Sequence, residues 1–502
     1  MKTAILVSIP LAESLYPSAG LAAIVPVFKA NGFRVSISDL NLEIHNRLQE
    51  ADLENMHAWC ELIAPLEHPV KTNITSILQE KISEWSLQQP ACIAVSVFTF
   101  QSITFAQLLL PMIRQELPTC QIIVGGAGVS SSMKSLTDYT TFGQQILDQA
   151  WADRVIFGEG EQSLDALLKN STHPGIDKND PIQIDDLDQL MLPDYSNFNF
   201  AGYRDNRLLI TGSRGCVRKC TFCDIETIWP AFRYRSPESQ VAEIIAHAKE
   251  YNIKRFEFTD SLINGSISGW IKFNGLLAEA RARDSFLQDI TYSGQFICRD
   301  QVSQPKIMYE LMHYAGVRQI SVGIESFSEK IRNAMKKKFN DASIDYHLEQ
   351  CGRWAIPNIF LMIVGHPEET QQDHEINLDR LHRYKIYADM ATIFMIRWGT
   401  TMHIIKDTPL YRDRMYQIED AHQNEKDSDT LYAWINRNNP DLTLPERIRR
   451  RVELHETSFA LGYSQPNSRA ELKKILSLLE TYHIHPTKKK KTVFQLHQQQ
   501  AQ

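Results

Sequence analysis

Short apolar runs alternate with amphipathic stretches along most of the first 400 residues of this chain. In the first part, the apolar runs predict strands at residues 3–9, 34–39, 93–98, 121–124 and 154–157. The stretches between them, such as 20–31 and 102–116, have helical spacing. Strands that alternate with helices form a parallel sheet with helices on both faces. The pattern therefore predicts an α/β fold that begins with a doubly wound, Rossmann-like domain at residues 1–170.

The same alternation returns after a polar, acidic stretch that is rich in Pro and Asp, which we interpret as a linker at residues 171–195. The second block predicts six strands, at residues 208–211, 255–259, 290–296, 319–323, 358–364 and 390–397. Six such strand–helix units fit a partial (βα)6 barrel of the TIM type, at residues 196–400, better than a closed eightfold barrel. Beyond it, the pattern predicts a helical C-terminal region at 401–485 and a disordered, Lys- and Gln-rich tail at 486–502.

Composition limits the classes of partner and compartment. The net charge is −7, from 53 basic and 60 acidic residues, so no overall basic field would recruit nucleic acid. No apolar stretch is long enough to predict a membrane span, and the N-terminal apolar run reads as a buried strand rather than a signal peptide. Eight cysteines in 502 residues are too few for a disulfide framework. We therefore expect a cytoplasmic protein whose clustered cysteines bind metal or act in catalysis.

Three cysteines lie close together on the loop that follows the first strand of the second block. Cys216, Cys220 and Cys223 have the spacing Cys-x3-Cys-x2-Cys. Thiolates suit both iron–sulfur clusters and zinc. Three ligands would leave one iron of a four-iron cluster open to an amino and a carboxylate group. A structural zinc site with a distant fourth ligand such as Cys298 is the alternative, although zinc loops usually contain a second ligand pair at similar spacing.

These cysteines, with the aromatic Phe222 before the last of them, resemble the signature of the radical S-adenosylmethionine superfamily. The resemblance implies a [4Fe–4S] cluster on the three cysteines and S-adenosylmethionine at the strand ends of the barrel. The positions that match the family's binding motifs for S-adenosylmethionine are Phe222, Asp260, Ser293, Arg299, Glu325 and Gly365. Asp260 departs from the family's glycine-glycine-glutamate form. Asp260 and Arg299 could instead cap or pair at a loop.

The first block resembles the cobalamin-binding domain that precedes the barrel in one large subgroup of that superfamily. Its glycines would admit a flat corrin and its phosphate tail close to the backbone. The candidate cobalamin contacts are Ser18, Gly20, Ser96, Thr99, Gly125, Gly126, Gly158 and Glu159. No Asp-x-His-x-x-Gly sequence is present to supply an axial histidine. The alternative is a vestigial domain that binds nothing and supports the barrel.

The resemblance implies that the protein cleaves S-adenosylmethionine reductively to a 5′-deoxyadenosyl radical. With cobalamin, it would methylate an unactivated carbon of a small-molecule or peptide substrate, with electrons from a donor such as flavodoxin or ferredoxin. Three alternatives stay open: radical chemistry without methylation, a non-catalytic cobalamin- or cluster-binding sensor, and a methylthiotransferase. The last would need a second cluster on the remaining first-block cysteines, Cys60, Cys92 and Cys120.

Overall fold

The structure is a computed structural model of the chain. It describes residues 1–11, 14–60, 65–99, 101–130, 140–180, 183–399, 418–420 and 434–463. Of the predicted helical region at 401–485, only the last two of these ranges are described, and the predicted tail at 486–502 lies outside the described residues. Contacts divide the chain into two units, one formed by Met1–Ile210 with Lys249–Arg255 and the other by Thr211–Ala248 with Phe256–Gln502.

The first unit contains a five-stranded parallel sheet. Its strands are β1 (Lys2–Ser8), β2 (Phe33–Asp39), β3 (Cys92–Ser96), β4 (Gln121–Gly125) and β5 (Arg154–Val155). The helices between and after them are α1 (Ala19–Ala30), α2 (Leu40–Arg47), α3 (Glu50–Cys60), α4 (His68–Leu87), α5 (Ser102–Glu116), α6 (Phe142–Asp148) and α7 (Gly160–Leu168). The strand order is β2-β1-β3-β4-β5. This order confirms the predicted doubly wound fold.

The order of strands reverses between β1 and β3, and this is where sheets of this kind bind ligands. Both strands pair in parallel, from Ala4 opposite Cys92 to Ser8 opposite Ser96. The side chains of residues 4–7 are fully buried because helices cover both faces of the sheet. The loops that follow β1 and β3 therefore open side by side at the carboxyl edge of the sheet.

The segment that follows α7 packs on the first unit. Ile176 forms a β-bridge with Ile156, and the backbone N–H of Ile184 donates to the Glu159 carboxylate at 2.8 Å. The side chains of Ile184 and Tyr195 are buried. The polar, acidic composition of this stretch thus belongs to an ordered segment.

A second sheet carries the predicted partial barrel. Strand β6 (Arg207–Ile210) is followed by a two-stranded antiparallel ribbon, β7 (Ser213–Arg214) and β8 (Arg233–Tyr234). The remaining barrel strands are β9 (Arg255–Phe258), β10 (Thr291–Phe296), β11 (Val317–Glu325), β12 (Asn358–Met362) and β13 (Ile393–Trp398). The order β13-β12-β11-β10-β9-β6 follows the chain, which confirms a partial (βα)6 barrel.

The helices of the second unit follow the barrel strands. They are α8 (Ile225–Ile228), α9 (Pro237–Tyr251), α10 (Ile267–Arg283), α11 (Lys306–Tyr314), α12 (Glu329–Ala334), α13 (Asp341–Arg353), α14 (Gln371–Arg383), α15 (Lys385–Asp389) and α16 (Leu444–Ala460). Strands β14 (Ile418–Asp420) and β15 (Trp434–Asn436) form a small antiparallel pair. In the described part of the chain, no helix is long and apolar enough to cross a bilayer.

The last barrel strand begins later than its sequence predicts. Residues 390–397 were expected to form it, but β13 starts at Ile393. Met390 instead caps the C-terminus of α15, and Ala391 adopts a left-handed conformation with φ of 56°. The side chain of Met390, at the end of this short helix, is apolar although it is exposed, so it extended the apolar pattern of the strand toward the N-terminus.

Candidate active site

The cysteine loop is closed at its base by a ribbon. Strands β7 and β8 pair Ser213 with Tyr234 and Arg214 with Arg233, so both ends of the loop between them are held together. Gly215 follows with φ of 82°, and a Cβ there would lie 2.5 Å from the carbonyl oxygen of Ala231. Only glycine allows this close approach, which turns the chain directly before Cys216.

Asp260 connects the start of this loop to the end of β9. Its carboxylate accepts hydrogen bonds from the backbone N–H of Gly212, at 2.9 Å, and from the hydroxyl of Ser213. The side chain is buried. Burial raises the pKa of the Asp260 carboxyl to about 7, although these two hydrogen bonds favour its charged form. Both carboxyl oxygens are therefore engaged in holding the loop.

The shifted pKa of Asp260 predicts that the protein loses stability as the pH rises from about 6 to about 8. A carboxyl whose pKa is higher in the folded chain binds a proton more tightly there. Its stabilising contribution is therefore complete at low pH and is lost as the pH rises through the folded value. With a folded pKa of about 7, the loss over this interval is about 1 kcal/mol. We expect Asp260→Asn to remove this component from the pH dependence of the thermal midpoint, followed by circular dichroism. An unchanged pH dependence would contradict the prediction.

The three thiols are shielded from water to different degrees. Cys220 is buried, and Cys216 and Cys223 are half-buried. Burial raises the pKa of all three thiols, that of Cys223 to about 12. The backbone N–H of Arg218 donates to the Cys216 sulfur at 3.4 Å, which favours a thiolate at that position. Metal binding to this loop therefore has to displace protons from the thiols.

Positive side chains surround the thiols and oppose this effect. Arg218, Arg299 and Lys337 each lower the thiol pKa of Cys216. The guanidinium of Arg299 also donates to the carbonyl oxygen of Asn264 at 3.0 Å. The sequence predicted Arg299 as a contact of S-adenosylmethionine but indicated no role for Lys337. Three consecutive lysines, at 336–338, are typical of a solvent-exposed surface. Nothing in the neighbouring sequence shows which of them is buried.

The donor set fits an iron–sulfur cluster better than a single zinc ion. Zinc needs ligands that converge on one point, at Zn–S distances of about 2.3 Å. In the part of the chain that the structure describes, no three Cys, His, Asp or Glu side chains do so. The cysteines of a cuboidal cluster each bind a different iron, so their sulfur atoms need not converge. Cys298, the alternative zinc ligand, is fully buried, and burial raises its thiol pKa far above the usual range.

The concave face of the barrel is open and polar. On β10, Tyr292 packs against the aromatic ring of Trp270 in α10, with ring centroids 5.6 Å apart. The alternate residues Ser293 and Gln295 therefore face the concave side. Gln295 is exposed although β10 lies between two neighbouring strands. The predicted contact Ser293 thus lies on the concave face of the sheet.

The turn after β12 is covered by the C-terminal helix α16. Gly365 has φ of 93°, and a Cβ there would lie 2.6 Å from the Arg447 side chain. The backbone N–H of Gly365 donates to the Glu369 carboxylate at 2.8 Å. Arg450 pairs with the other oxygen of Glu369 at 3.1 Å, and both side chains are buried. The turn that contains Gly365, a predicted contact of S-adenosylmethionine, is therefore held by arginines of α16, which the sequence did not indicate.

The first unit places its candidate residues at the carboxyl edge of its sheet. Ser96 and Gly125 lie opposite each other at the ends of β3 and β4. A Cβ on Gly126 would lie 2.4 Å from the carbonyl oxygen of Val97, so this glycine is required by the packing of the two loops. Phe98, in the loop after β3, is 62% exposed. An exposed aromatic ring at the ligand edge was not anticipated from the sequence.

The other four candidates of that unit take part in local structure. Ser18 caps α1 by accepting a hydrogen bond from the N–H of Leu21 at 3.3 Å, and Gly20 lies exposed in the first turn of that helix. Thr99 accepts from the N–H of Ser102 at 3.2 Å at the start of α5. Gly158 has φ of 74°, and the neighbouring Glu159 is buried. Ser18 and Thr99 therefore stand at helix N-termini beside the point where the strand order reverses.

Comparison with known families identifies the second block. The model of the family described as "Radical SAM superfamily" matches residues 210–381, which contain the cysteine loop and most of the barrel. Residues 210–381 therefore match a radical S-adenosylmethionine domain. The family implies a [4Fe–4S] cluster and S-adenosylmethionine, and the cysteine loop supplies the thiols that such a cluster needs.

One curated relative is the ribosomal protein uS12 methylthiotransferase RimO of Clostridium botulinum. It is 28% identical over 181 residues, which make up 35% of this chain and 39% of the relative. The chain spans about half the length, or less, of the first curated relatives it matches.

Two solved structures resemble the fold across both sheets. The radical S-adenosylmethionine methyltransferase TsrM of Kitasatospora setae, with its substrate tryptophan and an analogue of S-adenosylmethionine bound, has a TM-score of 0.61 at 15% identity. The match covers 82% of this chain and 76% of TsrM. The cobalamin-dependent radical enzyme OxsB has a TM-score of 0.62 at 16% identity, over 96% of this chain and 71% of OxsB. At these identities the likeness concerns the fold.

Proposed function

We propose that this protein is a cobalamin-dependent radical S-adenosylmethionine methyltransferase that acts on an unactivated carbon. The observation that carries the proposal is the combination of two features in one chain. A sheet of order β2-β1-β3-β4-β5 with a ligand edge precedes a partial barrel with a three-cysteine loop. TsrM and OxsB share this fold over most of the chain.

The residues of the second unit divide the task of binding. Cys216, Cys220 and Cys223 would hold the cluster, which supplies one electron for the reductive cleavage of S-adenosylmethionine. Asp260 fixes the start of the loop, and Ser293 lies on the concave face of the barrel, where the substrate would bind. The protein orients the cofactors and excludes water and oxygen, while the cofactors supply the reactivity. The substrate would be a small molecule or a peptide, and the electron would come from a donor such as flavodoxin or ferredoxin.

A methylthiotransferase activity is the second candidate, since RimO is a methylthiotransferase. Such an enzyme would need a second cluster on Cys60, Cys92 and Cys120. Cys92 is the first residue of β3, and Cys120 directly precedes β4, so both lie at the amino edge of the sheet. Ligands of such sheets bind at the opposite, carboxyl edge. All three thiols are buried, which favours a packing role.

Titration with hydroxocobalamin tests the proposal. In anaerobically reconstituted protein we expect a saturable change in the corrin absorbance and cobalt that is retained after desalting. Mass spectrometry with methyl-deuterated S-adenosylmethionine and candidate substrates should then detect labelled product. Absence of cobalt retention in protein that contains an intact cluster would reduce the first unit to a supporting domain, and would favour radical chemistry without methylation.

Phe98→Ser is expected to weaken cobalamin binding roughly tenfold or more. The exposed ring of Phe98 lies in the loop at the ligand edge, and burial of an aromatic ring against a flat macrocycle stabilises binding by about 1.5–3 kcal/mol. The matched control is Leu87→Ser, because Leu87 is 86% exposed at the end of α4, which leads to the amino edge of the same sheet. Equal affinities for Phe98→Ser and the unchanged protein would contradict a cobalamin site on this loop.

A further inference from the structure

Lys337 differs from the two lysines beside it. Lys336 and Lys338 are exposed, and both adopt left-handed backbone conformations, with φ of 60° and 57°. Lys337 between them is only 6% exposed. Left-handed conformations are unfavourable for residues other than glycine, so two of them around one buried lysine indicate that the surrounding structure holds this side chain in place.

The buried ammonium group of Lys337 lies between the end of β11 and the cysteine loop. Its nitrogen donates to the carboxylate of Glu325, the last residue of β11, at 2.9 Å. Gly323 leaves the room for this pair, because a Cβ there would lie 3.0 Å from the lysine nitrogen and 2.6 Å from the Glu325 carboxylate. The ring of Phe222, in the cysteine loop, lies 5.9 Å from the nitrogen.

The ion pair of Lys337 and Glu325 lies against the cysteine loop. The backbone N–H of Thr221 donates to the carbonyl oxygen of Met335 at 3.3 Å, which fixes the cysteine loop against the segment that carries Lys337. Phe222, whose ring lies 5.9 Å from the Lys337 nitrogen, is the neighbour of Cys223 and lies two residues from Cys220. The ammonium end of the ion pair therefore faces the loop that carries the thiols.

Lys337 stays charged in this environment. Burial lowers its pKa, but the ion pair with Glu325 opposes this effect, and the pKa lies above the usual value for lysine. A fixed positive charge in a medium of low dielectric constant acts strongly on a nearby redox centre. Reduction adds a negative charge to a cluster, and a cation stabilises that product.

We propose that Lys337 raises the reduction potential of the cluster bound at Cys216, Cys220 and Cys223. In this arrangement Glu325 holds the ammonium group in position. The inference rests on the proposed cluster site and adds a residue that sets how readily the site accepts an electron. It also gives Glu325 a role that does not require contact with S-adenosylmethionine.

The test is the midpoint potential of the reconstituted full-length protein without S-adenosylmethionine, measured by dye-mediated titration with electron paramagnetic resonance. We expect Lys337→Met to shift the potential to a more negative value, because the cation is lost. The matched controls are Lys336→Met and Lys338→Met, which remove the same charge at exposed positions where water screens it. A potential in Lys337→Met equal to those of the two controls would overturn the proposal.

The double variant Glu325→Gln/Lys337→Met provides a second test if Lys337→Met alone does not fold. It leaves no unpaired buried carboxylate, and neutral side chains of similar volume often replace buried ion pairs without loss of stability. Its potential should also fall below that of the unchanged protein, because the ammonium group is the end of the ion pair that faces the loop. The fall should be no larger than in Lys337→Met, because the opposing charge of Glu325 is removed as well. A double variant that matches or exceeds the unchanged potential would refute the role of Lys337. Failure of the unchanged protein to bind iron would refute the cluster site itself, so the two failures are distinct.

Discussion

Replacing any one of Cys216, Cys220 and Cys223 with alanine is expected to abolish reductive cleavage of S-adenosylmethionine. Each replacement removes a thiolate ligand of the cluster, and the loop offers no other thiol within the turn that these three residues form. The unchanged protein, purified anaerobically, should contain about four irons per chain. The variants should contain much less iron and release no 5′-deoxyadenosine above background in the presence of dithionite, as measured by chromatography.

The control variants are Cys60→Ala, Cys351→Ala and Cys298→Ala. Cys60 lies in the core of the first unit, and Cys351 and Cys298 are fully buried in the second. Each should retain iron and cleavage activity if the protein folds. Loss of several irons in folded Cys60→Ala would reveal a second cluster in the first unit. Stoichiometric zinc without labile sulfide in the unchanged protein, lost in Cys298→Ala, would instead establish the zinc site.

Arg450→Ala is expected to destabilise the contact between α16 and the turn after β12 by about 3–5 kcal/mol. The arginine donates to the Glu369 carboxylate at 3.1 Å and to the carbonyl oxygen of Thr370 at 3.2 Å. Its removal leaves the buried carboxylate of Glu369 without its cationic partner. Burial already raises the pKa of Glu369 despite that partner, which shows how strongly the site disfavours an isolated charge. Hydrogen–deuterium exchange should report the loss as an increase on the order of a hundredfold or more in the exchange of amides in α16.

The neighbouring Arg449→Ala is the matched control for this prediction. Arg449 lies on the same helix and pairs with Glu446 and Glu453, but these contacts are half-exposed. Exposed pairs within one helix contribute about 0.3–0.5 kcal/mol, so exchange in α16 should change less than severalfold. Equal exchange in the two variants would mean that the buried pair with Glu369 does not hold the helix. Preserved exchange rates together with lost binding of S-adenosylmethionine in Arg450→Ala would instead indicate a direct contact with the ligand.

Among the S-adenosylmethionine candidates, the structure brings several residues to the cysteine loop and separates others from it. Phe222 and Glu325 contact the side chain of Lys337, which lies against the cysteine loop. Arg299 interacts electrostatically with Cys216. Asp260 is at the base of the loop, where it holds the backbone. Gly365 lies at a different strand end, against α16. The contacts of all six with S-adenosylmethionine stay predictions.

The alternation of strands and helices and the spacing of the three cysteines were determined by the sequence alone. Both are local features, because the pattern of a strand or a ligand loop is written in adjacent residues. Such patterns predicted the two sheets, the partial barrel and the superfamily. They misplaced the start of β13, where an exposed apolar residue at the end of a short helix extended the apolar pattern of the strand.

The surroundings of the thiols were decided only by the tertiary structure. Three consecutive lysines are equivalent in sequence, and the burial of Lys337 depends on Glu325 and Gly323, which come from a strand twelve or more residues earlier. The arginines of α16 reach a turn about eighty residues earlier in the chain. Whether a charge is buried or solvated depends on which distant segments pack against it, and that packing sets the free energy of the charge. A local pattern therefore identifies the ligands, whereas their electrostatic environment follows from the fold.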